Sequence, residues 1–209
     1  MRAHLVVFGL VLGISLHSYA QVPQGPDPRG FIEASRYHNR ATTVSFTIPE
    51  GWIASRTGPS ADGEIVSLGK PGTTLNLSVW MGAQTTPVAP SSVRAALDDA
   101  LRRKLEQRRD LPIPGAIADS YRLRNDSVRL TETGGRLTLE ALVDYRGVPL
   151  ADNPRLPAAS AEAGVPMLEV MSWIITSRTR AFFFGRVPAD SLETFLPLFR
   201  RAVQSADVP

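Results

Sequence analysis

The chain has 209 residues, no cysteine, and a formal net charge of +3 from 23 Lys and Arg against 20 Asp and Glu. Such a near balance of charge argues against nucleic acid binding by bulk electrostatic attraction. The lack of cysteine excludes disulfides, thiolate metal sites and a lipid anchor on a thiol, so the core alone must hold the domain together.

The first twenty residues have the three parts of a secretory signal peptide. Arg2 supplies a basic start, residues 5–16 form an uncharged apolar run, and Ser18 and Ala20 are the small residues before a cleavage site. The apolar run is shorter than the about 20 residues that a membrane span needs. We therefore expect cleavage after Ala20 and a periplasmic or secreted protein, with an uncleaved N-terminal anchor as the alternative.

Residues 21–41 begin with several prolines and carry few apolar residues, so we predict a flexible leader there and a single domain over 42–209. The stretch 31–40 fits either a short helix or an irregular lead-in.

Strand signals then follow one another, beginning with VSFTIPEGW at residues 44–52. Its apolar residues alternate with polar ones, Pro49 cannot donate a ladder hydrogen bond, and Gly51 permits a turn. We expect this stretch to start the sheet and Trp52 to seal an edge of the core. Further strands are predicted from Trp52 to Ala54, over 64–68 and over 75–81.

Residues 91–109 change to a helical period, with Val93, Leu97, Leu101 and Leu105 every four residues. Acidic residues at 98 and 99 are spaced to pair with the arginines at 102 and 103. The second half of this helix is basic and is a candidate contact for anionic lipid or an acidic partner, although the same charges suit a solvated helix end. The candidate contact residues here are Arg102, Arg103, Arg108 and Arg109.

The second half of the chain reads as strands, a long connection, more strands and a helix. Strands are predicted over 119–131 and 137–145, joined at a Gly134–Gly135 turn. The connection 147–166 exceeds the usual loop length, and its charged residues Asp152 and Arg155 are further candidate contacts.

Residues 167–176 and 180–187 are apolar on both faces, which predicts a central antiparallel hairpin. A closing helix is predicted over 190–206, with Asp190 and Glu193 at the spacing of a capping box and Pro197 causing a kink or a break near Thr194. The predicted fold class is therefore α+β, a central antiparallel β-sheet with helices packed on it.

The inventory of reactive side chains predicts no enzyme, no metal site and no cofactor. His38 is the only histidine after the signal segment, and Ser67 lacks the glycine that a nucleophile elbow requires before it. Glu140 and Asp144 share a strand face, with Glu132 and Glu169 as possible neighbours, which is the pattern that a carboxylate-dependent hydrolase needs. We interpret these acids as solvated strand charges, because nothing in the sequence assembles them into a site.

Two short motifs resemble a known family. VSFTIPEGW is similar to the opening strand and turn of PsbP-like and DcrB-like domains, and the closing FLPLFRRAVQSADV is similar to their C-terminal helix. The resemblance covers residues 42–208 and implies an α/β/α sandwich around a central antiparallel sheet. It also implies a non-catalytic, exported or partner-binding domain, and it carries over no functional residues.

The leading hypothesis is therefore an exported, non-catalytic binding or accessory domain that acts through contacts with an envelope protein. Trp80, which points away from the apolar face of its strand, is a further candidate contact, although packing inside a second layer is the alternative. We expect no nucleic acid partner and do not predict membrane contact. A small-molecule or lipid carrier with an apolar cavity and an envelope hydrolase remain as alternative functions.

Overall fold

The computed structural model describes residues 30–60, 63–73, 75–83, 95, 98–99, 101–103, 105–106, 116–117, 120–147 and 164–209. The signal segment, the leader up to residue 29 and the connection 148–163 lie outside this range. The strands are β1 (Gly30–Glu33), β2 (Arg36–Asn39), β3 (Ser45–Thr47), β4 (Ile53–Ser60), β5 (Gly63–Gly69), β6 (Asn76–Ala83), β7 (Arg122–Leu123), β8 (Arg129–Thr133), β9 (Arg136–Gly147), β10 (Val165–Ile175) and β11 (Thr179–Pro188).

The strands form a main sheet of eight strands and a small sheet of three, and every strand pairing is antiparallel. The main sheet has the order β4-β5-β6-β11-β10-β9-β7, with β8 also paired to β9. The central position predicted for β10 and β11 is confirmed. The strand predicted over 119–131 is instead divided into β7, a 3-10 turn at Asn125–Ser127, and β8.

The N-terminal part of the described chain differs from the sequence prediction. Residues 30–39, assigned to the leader, form the hairpin β1–β2, and β3 joins this small sheet rather than the main one. The hairpin escaped prediction because Ala34 and Ser35 make its turn at positive φ (46° and 64°), where Asn and Gly are the usual residues.

The two motifs that carry the family resemblance are in direct contact. Ser45 and Asp207 exchange backbone hydrogen bonds of 3.0 and 2.8 Å. The Thr47 N–H donates to Ser205 Oγ at 2.9 Å, and that hydroxyl donates to the carbonyl of Ala202 at 2.8 Å. The opening strand and the end of the C-terminal helix therefore form one structural unit although they lie far apart in sequence.

The principal core lies between the main sheet and this unit. Phe195 and Phe199 of the C-terminal helix (Leu192–Gln204) are fully buried together with Phe46 and Phe183. Gly185 permits this packing, because a Cβ there would lie 2.4 Å from the Phe195 ring. The helix thus covers one face of the sheet, which we call the core face.

The C-terminal helix is continuous through Pro197, so of the two predicted alternatives, a kink or a break near Thr194, the break is wrong. Proline removes one backbone donor, and the buried aromatic side chains on both sides of it hold the helix against the sheet. The predicted capping box is also absent from the described hydrogen bonds. Ser191 is the N-cap residue and makes no side-chain capping bond, and its hydroxyl instead donates to Asp190 Oδ1 at 3.1 Å. Asp190 lies in a 3-10 turn (Ala189–Ser191) before the helix.

The described residues of the 91–109 segment are helical, at positions 95, 98–99, 101–103 and 105–106. Leu101 is 4% exposed and lies in a second cluster with Tyr121 and Met171, on the face opposite the core face. Among the described residues, no helix is both long enough and apolar enough to cross a membrane.

Candidate functional site

The second face of the main sheet carries a row of aromatic side chains that crosses several strands. The cross-strand register aligns Ile65, Trp80, Phe182, Trp173 and Leu139 in neighbouring positions of β5, β6, β11, β10 and β9. All but Leu139 are half-buried. We call this side of the sheet the aromatic face.

The rings of the aromatic face are stacked on one another. The Trp173 and Phe182 ring centroids are 4.5 Å apart, and those of Phe182 and Phe184 are 5.0 Å apart. Stacking of this kind fixes the side chains in one arrangement, and all three rings also pack against the second cluster. Rigid aromatic residues lose little conformational entropy on binding, which suits a contact surface.

Arg180 lies at one end of this row. Its guanidinium carbon is 4.8 Å from the centre of the Trp80 ring, a cation–π contact. Gly82 pairs directly with Arg180 on the neighbouring strand, so no side chain competes for the space. The Arg180 Nε is buried and has no hydrogen-bond acceptor among the described residues, and no described carboxylate forms an ion pair with Arg180.

Arg186 lies at the other end of β11 and differs from Arg180 in having an acidic neighbour. Its Nε is 3.7 Å from the carboxylate of Glu169, which is 1% exposed. The ion pair compensates the charge of the buried Glu169. Among the described residues, Arg186 therefore has a carboxylate partner on this face and Arg180 has none.

The acids of the hypothetical hydrolase site are not brought together. Glu140 accepts hydrogen bonds of 2.5–3.2 Å from Arg200, and Asp144 accepts two of 2.7 Å from Arg124. Their strand spacing separates them by about 13 Å. Glu169 lies on the opposite face of the sheet, because its neighbour on β9 is Val143.

The two arginines in these ion pairs have raised pKa values. Hydrogen bonding to Glu140 raises the pKa of Arg200, and hydrogen bonding to Asp144 raises the pKa of Arg124, each partly opposed by burial. Both carboxylates thus accept hydrogen bonds from a fixed cation. A general acid would have to leave such a partner before it donated a proton, so the geometry does not favour carboxylate catalysis.

The predicted contact residues fall into three groups. Trp80 lies on the aromatic face. Arg102 and Arg103 are well exposed on the helical segment, and both form ion pairs with Asp99. The predicted Asp99–Arg103 pair is therefore present, at 2.8 Å. Arg102 pairs with Asp99 and Glu106 rather than with the predicted Asp98. Arg108, Arg109, Asp152 and Arg155 lie outside the described residues.

The sequence analysis missed Arg180 as a site residue. The signal was present in RAFFFGR, where residues 180, 182, 184 and 186 alternate onto one face of β11. Reading the stretch as uniformly apolar hid this alternation. The isolated His38 stacks on Phe31 at 4.9 Å, and no cluster of three metal-ligating side chains occurs in the part of the chain that the structure describes.

The apolar residues of β10 and β11 are accounted for by packing on both faces. Leu168, Val170 and Phe183 belong to the principal core, whereas Met171 belongs to the second cluster. Nothing among these contacts favours the carrier hypothesis.

Comparison with solved structures identifies a shared fold. The solution structure of cyanobacterial PsbP (CyanoP) from Synechocystis sp. PCC 6803 is similar with a TM-score of 0.52 and 18% identity, over 88% of this chain and all of that one (100%). This likeness confirms a PsbP-like fold, and at this identity it shows the fold alone.

Two further structures are more distant. A crystal structure from Bacteroides thetaiotaomicron VPI-5482 has a TM-score of 0.48 and 11% identity, over 85% of this chain and 49% of that one. A protein of unknown function from Pseudomonas aeruginosa, PA94, described as a putative regulator, has a TM-score of 0.38 and 13% identity, over 87% of this chain and 97% of that one. No protein-family model and no curated protein matches the sequence.

Proposed function

We propose that this chain is an exported, non-catalytic binding or accessory domain that holds an envelope protein against its aromatic face. The observation that carries the proposal is the half-buried Trp80 ring, with the Arg180 guanidinium carbon 4.8 Å from its centre. Apolar rings beside an arginine are the residue types most enriched at the energetic centres of protein interfaces.

The rest of the described chemistry supports a binding role. Glu140 and Asp144 are engaged by arginines, and the buried Glu64 accepts hydrogen bonds from Tyr37 at 2.7 Å and Asn39 at 2.6 Å. These acids connect parts of the fold, which is a structural use of their charge. The signal-peptide pattern of residues 1–20 supports export.

The proposal includes an α/β/α arrangement of the layers. Leu101 of the helical segment packs with Tyr121 and Met171 on one side of the sheet, and Phe195 of the C-terminal helix packs on the other. Trp173, Phe182 and Phe184 pack against the same second cluster as Leu101, so the proposed contact surface is the β5 and β6 part of the aromatic face around Trp80.

Photo-crosslinking tests which face meets the partner. A benzoylphenylalanine at Asn76, which is exposed on the aromatic face of β6, is expected to crosslink an envelope protein of the source organism. The matched control places the same group at Phe31, which is 38% exposed on the small sheet. Adducts that form equally from both positions, or from position 31 alone, would refute the proposed surface.

A further inference from the structure

Arginine side chains line the β7–β9 edge of the main sheet, on its core face and beside the C-terminal helix. Arg122 of β7 pairs with Asp144 of β9, and Arg129 of β8 pairs with Glu140 of β9. Both acids alternate with the core residue Leu142, and directly paired residues share a face of the sheet. The arginines on this face, which we call the arginine stripe, are Arg122, Arg124, Arg129, Arg146 and Arg200. The stripe follows β9 over six residues, a length of about 20 Å.

Two arginines of the stripe are held in place by the acids of β9. Arg124 donates to both carboxylate oxygens of Asp144 at 2.7 Å. Arg200 of the C-terminal helix donates to the two oxygens of Glu140 at 2.5 and 3.0 Å. Two-point contacts of this kind fix the plane of a guanidinium. Asp144 and Glu140 therefore position the middle of the stripe.

The other three arginines of the stripe, Arg122, Arg129 and Arg146, are exposed. They lie on both sides of the fixed pairs, so the cations extend along the whole edge. Besides the two acids of β9, the exposed Asp126 of the 3-10 turn is the third acid beside the stripe in the described part of the chain. Five guanidinium groups thus face three carboxylates, and the edge has a net positive charge.

The lack of apolar groups on the stripe indicates what it contacts. Among the described residues, the exposed large apolar side chains are Phe31, Ile32 and Ile53, and none of them lies on the stripe. A protein interface usually centres on buried aromatic or aliphatic residues. An anionic membrane surface, in contrast, attracts arginine and lysine side chains without any inserted apolar group. An extended row of exposed cations therefore fits a membrane surface better than a protein.

We propose that the arginine stripe holds this domain against the anionic phospholipid headgroups of a membrane surface. Guanidinium groups suit this contact because they bind phosphate oxygens in a two-point geometry. The signal-peptide pattern of residues 1–20 supports a location next to a membrane. The inference goes beyond the proposed function, because the stripe lies on the other face of the sheet from Trp80 and near its other end. A domain bound through the stripe keeps the surface around Trp80 accessible to a partner protein.

Flotation with two kinds of vesicle tests the inference on the full chain. One kind contains phosphatidylcholine alone, and the other contains phosphatidylcholine with phosphatidylglycerol. The ratio of the two affinities removes any contribution from the apolar residues 5–16, which act on both vesicles alike. We expect the chain to prefer the anionic vesicles, and the preference should fall as salt rises because the cations are exposed.

A variant of the stripe is compared with a control that loses the same charge elsewhere. Each cation near an anionic surface raises the affinity about fivefold, so the triple variant Arg122→Gln, Arg129→Gln, Arg146→Gln should lower the affinity for anionic vesicles about a hundredfold. The control Arg40→Gln, Lys70→Gln, Arg178→Gln removes three cations that lie off the stripe and should retain most of the affinity. Circular dichroism and urea unfolding establish that both variants are folded. Arg129→Gln alone, expected to lower the affinity about fivefold, provides the test if the triple variant of the stripe does not fold.

Three results would overturn the inference. The first is equal binding to the two kinds of vesicle, and the second is an equal loss of affinity in the stripe variant and the control. The third is binding of poly-glutamate that depends on the stripe while the anionic vesicles are not bound, which would assign the stripe to an acidic polymer. None of these results affects the crosslinks expected from position 76, so the proposed function is tested separately.

Discussion

At the scale of single residues, the burial of Trp52 shows that the opening motif has a structural role. Its side chain is 8% exposed and its ring lies 6.2 Å from that of Phe195 on the C-terminal helix. The turn before it is closed by a 3.1 Å hydrogen bond from Trp52 N–H to the carbonyl of Pro49, with Gly51 at φ +74°. The motif therefore sets the position of a core residue, while Glu50 is exposed.

Trp52→Ala should lower the free energy of unfolding by about 3 kcal/mol, because it leaves a cavity between the strand and the helix. Urea denaturation of the two proteins measures this. Trp52→Phe is the matched control and should cost less than about 1.5 kcal/mol, since the Trp52 Nε1 donates no hydrogen bond to the described residues. Equal midpoints for wild type and Trp52→Ala would mean that the ring is not part of the core.

Trp80 could be predicted from the sequence as a candidate site residue, whereas its contact with Arg180 could not. Trp80 was selected because it breaks the apolar face of its strand, and that pattern is visible in a single segment. The Trp80–Arg180 contact depends on the pairing of β6 with β11, which the sequence does not encode locally.

At the scale of elements, the hairpin β1–β2 has an unfavourable turn. Ala34 and Ser35 both have positive φ, a conformation that costs a side chain with a Cβ about 1 kcal/mol or more. The double variant Ala34→Asn, Ser35→Gly supplies the preferred residues of such a turn. It should raise the free energy of unfolding by about 1 kcal/mol, measured in urea, and a decrease would show that the two native side chains make contacts that outweigh the strain.

The end of the C-terminal helix is held by arginines from both sheets. Arg136 of β9 donates hydrogen bonds to the carbonyls of Val203 at 2.9 Å and Ala206 at 2.6 Å, and Arg36 of β2 donates one to Ser205 at 3.0 Å. Burial lowers the pKa of Arg136 from its ordinary value, and the charge of Asp207 partly offsets this. Cations at this position also interact favourably with the helix dipole.

Arg136→Met keeps the length of the side chain and removes the donors, so two helix-end carbonyls lose a partner. We expect a loss of about 2 kcal/mol in the free energy of unfolding. Arg201→Met, on the exposed side of the same helix, is the control and should change stability by less than about 0.5 kcal/mol. If the two variants were equally stable, the helix would be held by its apolar contacts alone.

Elements with a strong local period were predictable, and elements that depend on partners were not. The alternation of residues 75–81 and 137–145 and the Gly134–Gly135 turn predicted β6, β9 and the turn that leads into β9. The split of 119–131 and the continuity of the helix through Pro197 follow from tertiary packing, which overrides local preference.

At the scale of the whole molecule, the family resemblance has a physical basis. The opening motif and the closing Ser-Ala-Asp-Val segment pair through Ser45 and Asp207, so each constrains the other. This junction joins the small sheet to the C-terminal helix, and the helix in turn covers the core face. The opposite face, with its aromatic row and Arg180, is the face to which we assign binding.

Affinity capture from envelope extracts tests that assignment most directly. The proteins captured by wild type, Trp80→Ala and Phe31→Ala are quantified by mass spectrometry and compared. Urea unfolding first shows that both variants are folded. Trp80→Ala should lose the proteins that wild type captures, whereas Phe31→Ala, which removes an exposed aromatic ring from the small sheet, should retain them. Equal capture by wild type and Trp80→Ala, or a loss confined to Phe31→Ala, would contradict a binding function for the aromatic face.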